Sequence, residues 1–198
     1  VPQRLLGYRE AVDAALAAER ANAVAGRWTE GVMMFRSFRQ DHAYYAKKAG
    51  GSAVTSASPE AVWRVVCSVG GDNRYFYMNV LWWIREAMDW VVGGPGFTRG
   101  RRDPVNVRLG DNIDYWTVIA LEPQRRLTLN FGLKAPGSGI LEFEIEPLAD
   151  GGTRLTETAY WHPRGIWGLA YWWVLVPAHL FIFRGMTAAM VRRAERSA

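Results

Sequence analysis

Between Asn112 and His162 the hydrophobic residues recur with a period of two, and directly behind them Gly165 to Phe183 forms 19 residues without a formal charge. These two features constrain the fold most. Alternating segments bury one face and leave the other to solvent, and a helix apolar all round needs a cover. The alternating region divides into four strands, 112–121, 126–134, 139–147 and 153–162, separated by Glu122-Pro123, Ala135-Pro136-Gly137 and Asp150-Gly151-Gly152. Turns this short join antiparallel neighbours. The helical stretch runs from about 166 to 196, apolar to Phe183 and charged beyond it, with a kink expected near Pro177. The pattern predicts an α+β fold: a curved antiparallel sheet wraps the long C-terminal helix and leaves a cavity between them.

Upstream, residues 8–24 set Ala11, Val12, Ala15 and Leu16 against Arg9, Glu10, Asp13, Glu19 and Arg20, the pattern of a short amphipathic helix, and Gly26 stops it. Residues 27–40 read as a linker or docking arm. An extended piece follows over 44–48 and 52–57, interrupted at Gly50-Gly51 by a turn or bulge. Ser58-Pro59-Glu60 supplies an N-cap, a proline at N1 and an acid in the first turn, so a helix starts at 59 and ends at Gly70-Gly71. Residues 76–92 form a second helix, with Val80, Leu81, Ile84, Met88 and Val91 towards the core and Arg85, Glu86 and Asp89 outward. We expect two parts: an N-terminal helix and arm over 1–42, and a ligand-binding domain over 43–198.

Composition narrows the function. With 198 residues and 49% hydrophobic content the chain is long and apolar enough for a sizeable core, which excludes disorder. One cysteine, Cys67, closes no intrachain disulfide, and it is expected to pack. The three histidines stand apart at 42, 162 and 179, so no Cys/His metal cluster can be written. A reduced, cytoplasmic compartment is the expectation. The net charge of +5 is dilute, and its largest cluster is answered by Asp103 and Asp111, which argues against nucleic acid as a partner. No Gly-x-Gly-x-x-Gly joins a strand to a helix; the nearest run, Gly93-Gly94-Pro95-Gly96, follows a helix. No cofactor is therefore expected, and the chain is not a dehydrogenase by itself. Val1 to Ala25 has no apolar block of the secretory kind, and the missing initiator Met fits a piece of a longer protein as well as a separate one.

Ser58-Pro59-Glu60-Ala61-Val62-Trp63 resembles the start of the first helix in the START-like, helix-grip (SRPBCC) superfamily. GGDNRYFYMNVLWWIR (70–85), RGRRDP (99–104), GDNIDYWTV (110–118), LEFEI (141–145) and HPRGIWGLAYWW (162–173) resemble a family of unknown function commonly fused behind the NAD(P)-binding domain of atypical short-chain dehydrogenase/reductases. The resemblance spans about 52–195. YREAV and RWTEG resemble the piece joining the two domains in such fusions. It implies a helix-grip fold and an NAD(P)-dependent reductase domain as a partner, without implying an activity.

Several residues are candidates for chemistry. Glu142, Glu144 and Glu146 alternate with core residues and are expected in solvent. Glu157 falls either on an inner face with Leu155, Ala159 and Trp161, or in water if Thr156, Thr158 and Tyr160 face inward. Asp114, beside Trp116, faces the cavity or its mouth, or else pairs with Arg126 or Arg101. His179, in the apolar helix, is the best general base, and His162 ends a strand. Catalytic candidates are thus Asp114, Glu157 and His179. Arg99, Arg101 and Arg102, with Arg108, either contact an anion or form a solvated loop paired with Asp103 and Asp111. Tyr75, Trp82, Trp116, Phe143, Trp167 and Tyr171, with Glu157 and His179, are candidates for the wall of a ligand pocket. The same aromatics could serve packing alone, or a surface meeting a membrane or another domain.

The leading expectation is binding of a small apolar or aromatic molecule between the sheet and the C-terminal helix. The alternatives are a cyclase, dehydratase or isomerase acting on a polyketide-like or lipid-like substrate, and an aromatic-rich interaction module. Peripheral membrane contact is compatible with the uncharged stretch. Spanning is opposed by Pro177, His179 and the strands that need a cover.

Overall fold

The computed structural model describes residues 7–20 and 47–197. Helix α1 (Tyr8–Arg20) belongs to a compact unit separate from the remaining elements. Glu10 in its first turn and Arg20 in its last complement the helix dipole. The arm expected over 27–40 lies outside the described residues, as do residues 44–46 of the first extended piece.

The second unit contains β1 (Lys47–Thr55), α2 (Pro59–Cys67), α3 (Asn79–Val91), β2 (Asn112–Ile113), β3 (Trp116–Glu122), β4 (Arg126–Phe131), β5 (Gly137–Pro147), β6 (Thr153–Pro163) and α4 (Gly165–Ser197). Its strands make one antiparallel sheet in the order β1-β6-β5-β4-β3-β2. Helix α4 packs on the sheet over β1 and β6, and α2 packs on α4, which is the helix-grip arrangement. The alternating residues decide which side is inside. Leu127, Leu129, Leu141, Phe143, Ile145 and Leu155 meet Val62 and Val66 of α2 and Met186, Met190 and Ala194 of α4 in one core. Ser58 Oγ accepts the Ala61 N–H at 3.2 Å, so α2 begins where the sequence predicts.

Four local expectations are corrected. Strand β1 passes straight through Gly50-Gly51, with Gly51 opposite Glu157. A Cβ on Gly51 would stand 2.6 Å from the Phe183 carbonyl oxygen of α4. The glycines let a helix lie on the strand; they do not turn it. The segment 112–121 is two strands, because Asp114 (φ 54°) and Tyr115 form a tight turn that pairs Ile113 with Trp116. Glu142 is buried on the outer face of the sheet, where Thr128 Oγ1 donates to it at 3.0 Å and the Tyr160 hydroxyl at 3.2 Å. Glu144 and Glu146 are exposed.

The fourth concerns α3, which is turned over relative to the expectation. Trp82, Glu86 and Asp89 are buried, while Val80, Ile84, Met88 and Val91 are exposed. The polar stripe goes inward because it finds partners there. Glu86 accepts from Arg99 at 2.6 Å and faces Arg74 at 3.5 Å. Asp89 accepts the backbone N–H of Gly96 at 2.7 Å and that of Lys134. Tyr75 stacks on Trp82 with ring centroids 4.2 Å apart. A carboxylate can be buried only where donors of this kind meet it.

Candidate functional site

The inner face of the sheet, α3 and α4 enclose a cavity of about 340 Å³. Leu141, Ala159 and Trp161 form its floor, Trp82, Arg85 and Met88 come from α3, and Tyr171, Leu175 and His179 come from α4. An unbroken run of rings lines it: Trp116 and Phe131 have centroids 5.3 Å apart, Phe131 and Trp161 6.1 Å, Trp161 and Tyr171 5.4 Å. Such rings offer broad contact area and little conformational freedom to lose. Ile84, Met88 and Val92 border the cavity and are also exposed, so this edge of α3 forms a mouth.

Few polar groups reach the cavity. The Arg85 guanidinium lies over Phe131, 4.7 Å from the ring centroid, and over Tyr171 at 5.4 Å. Its Nε is buried without a hydrogen-bond partner, as is Trp82 Nε1 one turn earlier. Among the described residues no carboxylate stands within 4.0 Å of Arg85. Asp89, one turn on, is committed to the loop amides. His179 sits between Trp172 and Phe183, each ring centroid 5.2 Å away, and its Nδ1 has no partner. Burial, and then the neighbouring Arg85 charge, push this imidazole down to about 4, so it is neutral at pH 7. Burial raises the Tyr171 hydroxyl, with Arg85 opposing.

Of the residues singled out in the sequence, Trp82, Trp116, Tyr171 and His179 border this cavity. Tyr75 and Phe143 are buried outside its lining. The Tyr75 hydroxyl instead donates to Asp114 at 3.3 Å and accepts from Trp116 Nε1 at 3.1 Å. Trp167 is 77% exposed and off the cavity, because α4 turns Gly168 towards Pro136 and Pro163 and leaves the preceding residue outside.

Asp114 pairs with neither Arg126 nor Arg101. It accepts the backbone N–H groups of Gly71 and Gly100, at 3.2 Å each, and so ties two loops to the β2–β3 turn. Arg126 pairs with Glu122. Glu157 takes the inner-face option with Leu155 and is 0% exposed, yet it lies one inward position beyond Ala159 and outside the lining. Neither carboxyl oxygen has a partner, and burial alone raises its pKa well above the carboxylate range. The three catalytic candidates therefore do not converge; His179 alone borders the cavity.

The arginine loop follows its second alternative in part: Arg102 pairs with Asp111 and faces Asp103, but it does so buried rather than in solvent. Arg101 donates to the carbonyls of Cys67, Val69 and Asp103 at 2.6, 2.8 and 2.7 Å, Arg102 holds Asp111 through two bonds of 2.9 Å, and Arg99 holds Glu86. None of them borders the cavity; their donors serve the chain itself. The cation that does line it at α3 is Arg85, which the sequence reading placed outward. The signal was present but faint: Trp82, Arg85, Glu86 and Asp89 recur at i, i+3, i+4 and i+7, a second stripe as regular as the aliphatic one. Cys67 is buried, and burial pushes its thiol up to about 12, which suits packing. His162 is exposed.

The outer side of α4 stays apolar, with Trp173, Val174 and Phe181 exposed. By length and composition α4 could cross a membrane, although 33% of its most apolar window is buried.

None of the curated proteins matches the chain. Several solved structures are similar to it. The ZhuI aromatase/cyclase from Streptomyces sp. R1128 is 17% identical over 76% of this chain and 94% of that one, with a TM-score of 0.47. The di-domain ARO/CYC BexL from the BE-7585A biosynthetic pathway is 14% identical over 75% and 46%, with a TM-score of 0.45. CalU16 from Micromonospora echinospora is 17% identical over 73% and 82%, with a TM-score of 0.36. The model of one family, described as a protein of unknown function (DUF2867), matches residues 41–186, the region that carries the sheet, the cavity and most of α4, and the chain belongs to that family.

Proposed function

We propose that the second unit binds a small apolar or aromatic molecule between its sheet and α4. The observation that carries this reading is the aromatic-walled cavity of about 340 Å³ with a mouth at α3, inside the range of roughly 300–1,000 Å³ usual for small-molecule sites. Titration with naphthalene and with 1-decanol, followed by tryptophan fluorescence, tests it. Saturable binding is expected, and Ala178→Trp, which fills the cavity from α4, should abolish it while circular dichroism stays native. A parent protein that binds neither probe, or a filled variant that still binds, would overturn the proposal.

Within the proposal, residues 43–198 act as the ligand-binding domain, residues 1–42 as an arm, and the setting is cytoplasmic. Presentation of the bound molecule to an NAD(P)-dependent reductase domain is the extension suggested by the fused relatives. The cyclase-type alternative retains His179 as its proton-transfer group, since Asp114 and Glu157 stand away from the cavity. An interaction surface is favoured by the exposed aliphatic stripe of α3 together with Trp173, Val174 and Phe181 of α4. Its preferred partner is a lipid surface, because Gly165 to Phe183 carries no charge and is flanked by Arg164 and Arg184. Co-flotation with anionic phosphatidylglycerol vesicles checks that second reading, and a protein left at the bottom of the gradient would remove it.

A further inference from the structure

The geometry points to an apolar carboxylate as the ligand class of this cavity, with its carboxylate at the α3 wall between Trp82 and Arg85 and its apolar body against the aromatic run. This inference rests on the cavity being a ligand site. Arg85 lines the cavity together with two other charged residues, Asp89 and Lys134, and its Nε is buried and unpartnered with no acidic neighbour within ion-pair distance among the described residues. Trp82, whose Nε1 is also buried and unpartnered, borders the same cavity from the same helix face. Two orphaned donors three residues apart call for an acceptor that the protein does not supply.

The other charged groups do not supply it. Asp89 is taken by the amides of Gly96 and Lys134, the Lys134 ammonium donates to the Val92 carbonyl at 2.9 Å, and Glu86 is turned to Arg99 and Arg74. His179, held neutral, brings no negative charge. The Arg85 guanidinium carbon lies over the rings of Phe131 and Tyr171, and the Tyr171 hydroxyl is a hydrogen-bond partner for one of its N–H groups, while Nε stays without an acceptor; a guanidinium fork matches a carboxylate in two-point fashion. The π contacts and the Tyr171 hydroxyl moderate the cost of holding the charge in this wall, but they do not satisfy Nε.

Matched probes separate this inference from the reading it rests on. The 2-naphthoate anion and 2-naphthamide have nearly the same shape and differ in charge. Isothermal titration at pH 7.5 should give about tenfold or greater preference for 2-naphthoate. Arg85→Met should erase that preference, bringing the ratio of the two affinities to about one whatever the change in either alone, and Arg85→Lys should recover part of it because the charge remains and the fork is lost. Equal binding of the two probes by the parent protein, or a preference that survives Arg85→Met, overturns the carboxylate assignment and leaves the cavity as a neutral site. Failure of both probes to bind removes the cavity reading and this inference together. If Arg85→Met does not fold, Arg85→Gln provides the same comparison, and equal probe binding by the parent remains decisive.

Discussion

Glu157 lies opposite Phe143 in the β5–β6 ladder, and both side chains are fully buried. A carboxyl in that position with no hydrogen-bond partner is held in its protonated form by burial, so the folded state keeps a proton that the unfolded state releases above about 4.5. A raised folded pKa of an acid makes stability fall as pH rises past the unfolded value. Glu157→Gln should therefore be more stable than the parent at pH 7, with the difference shrinking to near zero at pH 4. Urea unfolding at the two pH values checks this, and a variant less stable than the parent at pH 7 would contradict it.

His179 gives the opposite slope. Its folded value of about 4 lies below the ordinary 6.5, so between those limits the unfolded chain takes up a proton that the folded chain refuses. Stability should fall as pH drops from 6.5 to 4, by on the order of 2 kcal/mol after allowance for partial exposure. His179→Leu should flatten that part of the profile. Because Arg85 contributes to the depression, Arg85→Met should move the His179 midpoint upward in an NMR titration of the imidazole.

The close approach of α4 to β1 is tested at Gly51. An added methyl would meet the Phe183 carbonyl oxygen at 2.6 Å and Arg184 Cα at 2.8 Å, both backbone atoms that cannot rotate away. Gly51→Ala should cost about 1–3 kcal/mol in denaturant unfolding, the range for overpacking. Because α4 also forms a cavity wall, the variant should bind apolar probes more weakly.

Arg102 and Asp111 form a buried pair with two bonds of 2.9 Å. Asp111 also accepts the backbone N–H of Arg108 at 2.8 Å, so the pair closes the loop before β2. Removing one partner leaves a buried charge, and Asp111→Leu should lose about 3–5 kcal/mol. The double change Arg102→Met with Asp111→Leu should cost less than the single one. A milder single variant would place the pair in solvent, contrary to its burial.

Much of the architecture was readable because it is written locally. The Ser58 cap, the alternation of Leu141, Phe143 and Ile145, and the turn at Asp150-Gly151-Gly152 each act within a few residues, and each element stands where those signals predict. The site was less readable. Trp82, Trp116, Tyr171 and His179 border the cavity, as rings near a wrapped helix line or fill the space beside it. Tyr75 and Phe143 have the same chemistry and end in solid packing, and nothing in their neighbours along the chain distinguishes the two outcomes.

Taken alone, the order of residues determined the succession of strands and helices and the need to cover Gly165 to Phe183, because periodicity and capping depend on near neighbours. It pointed to the wrong stripe of α3 and put Glu142 in solvent, and it left open where Glu157 sits. Those outcomes depend on partners distant in sequence. Glu86 is drawn in by Arg74 and Arg99, Glu142 is covered by Thr128 and Tyr160, and Arg85 meets Phe131 and Tyr171, which only the folded sheet and α4 bring beside it. A buried charge is decided by the donor or acceptor across from it, and that pairing exists only once the chain has closed.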